Sequence, residues 1–273
     1  MLAFVHINKT AGRTVRYIMR SSFGLRHCEV DAPWAEGPFS QQDLQHLRRI
    51  YPNVESIGGH RLCAYVNLED SDNKFRYFTF MRDPLKRSAS QFQYNVQYRG
   101  KKGLVFEQWI QQEWTRNRQT KMIAGVADAA EAIRIIQAKQ LFVGLTERFD
   151  ESLVMLKSLI ANNLNISYKR INVARENTLA QSLLSTESSR QMLIEANRAD
   201  LELYNFATEQ LYPGYQREHG PSLEADVARY REARTDFNFW NLTLSRLKQH
   251  LVYKPLLYLK VRNGSDIRHQ TIR

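Results

Sequence analysis

The chain opens on LAFVHINKTAGRTVRYIMR, residues 2–20, and the reading of this stretch decides the fold. Leu2–Ile7 is short, apolar and followed by polar residues, the pattern of a buried strand. Arg13–Ser22 then places Val15, Ile18 and Met19 on one helical face. A strand that turns sharply into a helix exposes backbone N–H groups at the helix N-terminus, where the dipole favours an anion. This corner carries Lys9, Thr10, Gly12, Arg13 and Thr14: two cations, two hydroxyls and a glycine that lets the backbone approach a ligand. Phosphate, or something shaped like it, suits that set; the plain alternative is a solvated loop with a chance lysine. The Walker pattern GxxxxGK(S/T) is absent.

The rest of the chain continues the alternation. Gln41–Ile50 reads as a helix and Val54–Ile57 as a strand ending in Gly58-Gly59-His60. Phe75–Met81 (FRYFTFM) is a continuous aromatic-rich strand, broken by Arg82-Asp83-Pro84. Pro84 suits the first position of a helix running through Tyr98. Helices follow around Leu104–Trp114 and Asp128–Gln137, then a strand at Gln140–Val143 and a helix at Glu147–Ala161. Thr186-Glu187-Ser188-Ser189 starts a predicted long helix with Met192, Ala196, Ala199, Leu203 and Phe206 on one face. Strands alternating with helices predict an α/β fold, a central parallel sheet flanked by helices, with a P-loop-like strand-loop-helix phosphate site. That domain is expected over residues 1–220. Residues 221–273 change character, with ten Lys and Arg against five Asp and Glu, and read as a basic, helical C-terminal extension.

With 39 Lys and Arg against 28 Asp and Glu, the formal charge of +11 favours an anionic partner: nucleotide, nucleic acid, anionic glycan or membrane surface. Cys28 and Cys63 have neither CxxC spacing nor obvious histidine partners, so they read as free thiols in a reducing compartment. No apolar run approaches the ~18 residues of a membrane span, and no charged-then-apolar leader precedes the first strand. Asn8-Lys9-Thr10 is a glycosylation sequon, awkwardly placed inside the opening loop. The expectation is a cytoplasmic protein, peripheral to a membrane through its C-terminal segment, or a Golgi-lumenal one if a native N-terminal anchor precedes these residues.

A second constellation strengthens the anion reading. Arg82-Asp83-Pro84-Leu85-Lys86-Arg87-Ser88-Ala89-Ser90 places an arginine at a strand's carboxyl end and a serine two helical turns on. In a parallel sheet the carboxyl strand ends share one edge, where ligands bind. Arg82 and the Lys9 loop are therefore expected at one cleft, and an arginine fork suits a phosphate dianion. Ser90 reaches the same anion only if the strand end lies alongside its helix. The competing reading is an Arg82–Asp83 surface pair that opens a helix.

These paired motifs, of the form PKT-G-G-T-S and R-D-P-x-x-R-x-x-S, resemble the carbohydrate sulfotransferases, in particular the heparan and chondroitin uronyl 2-O- and 6-O-sulfotransferase branch. The resemblance implies a donor, 3'-phosphoadenosine 5'-phosphosulfate (PAPS). It implies that Lys9, Thr10, Gly12, Arg13 and Thr14 hold the donor's 5' end, and that Arg82 and Ser90 hold its 3'-phosphate. Val143-Gly144-Leu145-Thr146-Glu147 is similar to the family's G-(L/V)-T-E corner, and Asn205–Leu211 to its closing helix. The likeness spans about residues 3 to 216. Asn8 stands where the family usually has proline and Ala11 where it often has glycine, which adds a methyl near the phosphates.

Sulfuryl transfer needs a base for the acceptor hydroxyl and a cation for the leaving oxygen. Lys9 suits the second role. His60 is the candidate base, since it follows a strand end, its glycines give the loop room, and its ordinary pKa suits the task. The resemblance implies the same role, although a histidine, one of seven here, is more often structural. No metal is expected, because no DxD-like ligand set is visible. The loop Lys169–Arg175 is a candidate nucleotide cover, an anionic-acceptor contact or simply a solvated basic loop. The acceptor is expected to be a glycan or lipid-linked glycan hydroxyl, read by loops near residues 31–53, 95–103 and 115–127. Two alternatives stand beside this: a polyanion- or membrane-binding protein on the same scaffold, and a small-molecule kinase. A kinase needs a metal carboxylate, and a nucleic-acid binder a recognition motif; neither is evident.

Overall fold

A computed structural model describes residues 1–31, 37–69, 74–100, 103–168, 178–233 and 239–263. Five strands, β1 (Leu2–Val5), β2 (His27–Glu29), β3 (Ser56–Gly59), β4 (Arg76–Met81) and β5 (Phe142–Leu145), form one sheet in the order β2-β3-β1-β4-β5. Every pairing is parallel, with Phe4 opposite Gly58 on one side and Phe78 on the other. The strands are apolar on both faces because helices cover both. Ala3, Val5, Ile57, Tyr77 and Met81 face one core. Leu2, Phe4, Phe78, Phe80 and Phe142 face the other, against helix α1 (Gly12–Phe23).

Chain order then gives α2 (Gln41–Ile50), α3 (Pro84–Tyr98), α4 (Phe106–Ile110), α5 (Arg118–Ala124), α6 (Ala129–Ala138), α7 (Phe149–Leu159) and α8 (Thr178–Ser185). Asp83 caps α3 by accepting from Lys86 N, with Pro84 in the first turn as its missing N–H allows. The long helix expected from residue 186 is instead two, α9 (Glu187–Ala196) and α10 (Arg198–Phe206). They part at buried Asn197, whose side-chain amide donates to Leu193 O and competes with the helical ladder. Strand β2 escaped the sequence reading because its three residues include His27 and Glu29. Glu29 is buried there because Arg16 and Arg20 both pair with its carboxylate.

Past the sheet come α11 (Tyr212–His219), α12 (Leu223–Glu232), α13 (Phe239–Lys248) and α14 (Lys254–Asn263), the last two joined by a π-helical turn, Gln249–Tyr253. The basic C-terminal stretch packs back onto the body. Leu223 and Val227 of α12 join the core beside α7. On α13, Asn241 donates to Ser21 O at 3.0 Å. Gln249 accepts from Glu29 N and donates to Glu29 O, so its amide closes the open edge of β2. Residues 169–177 of the basic loop lie outside the described residues.

Candidate active site

All strand carboxyl ends lie on one edge, and β1 and β4 are neighbours there. The chain leaves β1 toward the β2 side and β4 toward β5, which makes their junction the switch point where such sheets bind ligands. Lys9 follows β1 and Arg82 follows β4. Across 73 positions of sequence, Arg82 Nη1 donates to the Lys9 carbonyl at 3.3 Å.

The corner at Lys9 is bent by left-handed backbone at Lys9 (φ 69°) and Ala11 (φ 62°). For an alanine that conformation costs about 1–2 kcal/mol, so the position favours the glycine the family often has. Helix α1 starts from Ala11 with no side-chain cap and no acid in its first turn, whereas Ser40, Asp83 and Asp128 cap α2, α3 and α6. An uncapped N-terminus at a strand-end corner leaves N–H groups for an anion. Thr10 is fully buried and donates to Ile7 O at 2.9 Å, bracing the loop from beneath. Thr14 is buried on α1, while Arg13 is exposed. Gly12 has a second reason to lack a side chain: a Cβ there would lie 1.8 Å from His6 Nε2.

Lys9 places its ammonium 4.5 Å above the Tyr94 ring. Burial, then the nearby cations of Arg82 and Arg13, bring its pKa down to about 8. A desolvated lysine among like charges is costly unless an anion joins it, so the residues present fit an anionic ligand. Ser90 is half-buried on α3, one turn before Tyr94 and so on the face that meets Lys9. It makes no hydrogen bond to Arg82 among the described residues. The geometry thus joins Lys9, Arg13, Arg82 and the start of α1, and puts Ser90 beside them.

Arg82 is held by residues the sequence did not single out. The Gln119 side chain accepts from Arg82 N at 3.0 Å and donates to Arg82 O at 2.9 Å. Gln119 lies in the first turn of α5, whose N–H groups at Gln119 and Thr120 are met by the buried Asp200 carboxylate of α10. Arg87, also buried, donates to Thr115 O, and burial lowers its pKa to about 10 despite Asp200 nearby. The Gly144–Glu147 corner braces the same turn from its other side. Thr146 donates to Met81 O, and Glu147 accepts from Asp83 N and from the Tyr204 hydroxyl.

His60 follows β3 on the same edge. Its Nδ1 lies 2.8 Å from the His6 carbonyl, which can only accept, so Nδ1 carries the proton and Nε2 the lone pair. Burial lowers its pKa, with Asp31 and the His6 carbonyl acting against that and Arg16 and Arg118 adding to it. His6, held neutral by burial, stacks on it at 3.8 Å between ring centroids. Ring nitrogens of both histidines and a carboxylate oxygen of Asp31 lie within 4.8 Å of one another. Rings stacked 26° from parallel aim their lone pairs along separate planes, which does not suit a shared metal ion. The arrangement suits a neutral imidazole oriented to take a proton. His6 was missed because it reads as the polar end of a strand. A hollow of about 830 Å³ near Met1, Arg48, Lys74 and Arg76 lies at the strands' amino ends, away from these residues.

The five-stranded parallel sheet covered by helices is an α/β fold, and the Lys9 corner, Arg82 and His60 share its carboxyl edge, where such sheets bind ligands. A family model described as the sulfotransferase family matches residues 1–207, and the chain belongs to that family. No curated protein matches it significantly.

Proposed function

We propose that this enzyme transfers the sulfuryl group of 3'-phosphoadenosine 5'-phosphosulfate to a hydroxyl of a glycan or lipid-linked glycan. The observation that carries this reading is the Arg82–Lys9 contact, which gathers two basic strand-end loops at an uncapped helix N-terminus. Lys9, Arg13 and the first N–H groups of α1 would hold the 5' end, and Arg82 with Ser90 the 3'-phosphate. Thr10 and Gly12 act beneath them, by bracing the loop and by admitting His6. When bound, the donor supplies the sulfuryl group and a phosphate leaving group.

His60 Nε2 accepts the proton of the acceptor hydroxyl as its oxygen attacks sulfur. The Lys9 ammonium neutralises the oxygen released as the old sulfur–oxygen bond breaks. Tyr94 beneath that ammonium and the Gln119 clamp on Arg82 fix positions before reaction, which is where most of the barrier reduction in such transfers arises. His60→Ala should lower kcat by about 10²–10⁴ with donor-product affinity unchanged. Arg82→Ala should instead weaken nucleotide binding by at least tenfold. A sulfate-release assay beside a binding titration separates the two, and retained turnover in His60→Ala would move the base elsewhere.

A further inference from the structure

The helix over residues 239–263 is inverted relative to an ordinary surface helix. Its inward residues are Leu242, Ser245, Gln249 and Tyr253, all buried and recurring at helical spacing, and two of them are polar. Its outward residues include Trp240, Leu244, Leu247, Leu251, Leu256 and Leu259, with Trp240 73% and Leu251 71% exposed. A contiguous apolar face of this kind on a folded protein marks a contact surface. The same stretch contains Arg246, Lys248, Lys254, Lys260 and Arg262 and no acidic residue. Arg246 is exposed, while Lys248 turns inward onto Leu25 O.

We propose that this helix seats the enzyme on an anionic lipid bilayer, lying in the plane of the interface with its leucine face in the headgroup and acyl boundary. Apolar residues flanked by bases are what such a surface binds. No helix among the described residues is long and apolar enough to cross a membrane, so the helix rests on the surface. A second copy of the chain is the poorer occupant, because the stretch sets exposed Arg246 among its apolar residues and holds no acid to pair with the bases of a copy. The helix is fixed to the body at both ends of its inner face. Asn241 bonds Ser21, Gln249 bonds Glu29, and Tyr253 packs edge-on against Tyr51. Seating therefore orients the whole enzyme on the bilayer. This inference is independent of the sulfuryl donor.

Flotation of the full chain with vesicles of phosphatidylcholine, alone or with about 30% phosphatidylglycerol, tests it; binding should be at least tenfold tighter to the anionic vesicles and weaken at about 0.5 M salt. Leu244→Glu/Leu251→Glu should lose at least tenfold in vesicle binding with an unchanged melting temperature, since both side chains are exposed. No flotation with anionic vesicles, or equal flotation of wild type and variant, overturns the proposal. So does a dimer that the double variant splits while neither protein binds vesicles, which would assign the face to self-association.

Discussion

At the scale of single residues, the fold alters the chemistry of ordinary side chains. His60 is neutral above a pKa that burial holds below the usual imidazole value, and Lys9 is charged below about 8. Catalysis by a neutral imidazole and a charged lysine therefore predicts a bell-shaped profile. In kcat/KM the rate should fall on an acid limb that lies lower than an ordinary imidazole would give, as His60 protonates, and on the alkaline side near pH 8 as Lys9 loses its proton. A bound phosphate favours the charged lysine, so the alkaline limb of kcat should lie higher than that of kcat/KM. An alkaline limb unchanged in Lys9→Met, provided residual activity allows its measurement, would contradict the assignment. Ala11 offers a stability test. With φ at 62°, Ala11→Gly should stabilise the protein by about 0.5–1 kcal/mol, read as a melting-temperature rise of about 1–4 °C.

At the scale of elements, the corner after β4 is held from outside itself. Gln119 supplies both hydrogen bonds to the Arg82 backbone, and Asp200 supplies the cap of the helix that carries Gln119. Gln119→Ala should leave both backbone groups without partners at a cost of about 2–4 kcal/mol. It should also weaken nucleotide binding about tenfold although the charge of Arg82 is intact; denaturant unfolding and titration calorimetry report the two effects. The contrast with what the sequence displayed is physical. Lys9 and Arg82 were legible because charges at the ends of apolar strands stand out against their neighbours. The Gln119–Asp200 support was not, because it joins buried polar residues about 80 positions apart whose meeting depends on tertiary packing. Strand β2 was hidden for a similar reason: Glu29 is tolerable in a sheet only once Arg16 and Arg20 have been brought to it. The break at Asn197 was masked by an apolar periodicity that continues across it from Met192 to Phe206.

At the scale of the whole molecule, the family match ends at residue 207, and ten of the 39 Lys and Arg lie in residues 221–273. General attraction for polyanions has to be distinguished from a built nucleotide site. The most direct measurement is the thermal shift produced by adenosine 3',5'-bisphosphate, the desulfated donor product, beside AMP, ATP and heparin. At about 100 times the dissociation constant the ligand adds about 2.7 kcal/mol, enough to raise the midpoint by several degrees. The midpoint should rise specifically with the 3',5'-bisphosphate, and the rise should be lost in Arg82→Ala. A rise with heparin alone, or an equal rise with the bisphosphate in wild type and Arg82→Ala, would contradict it.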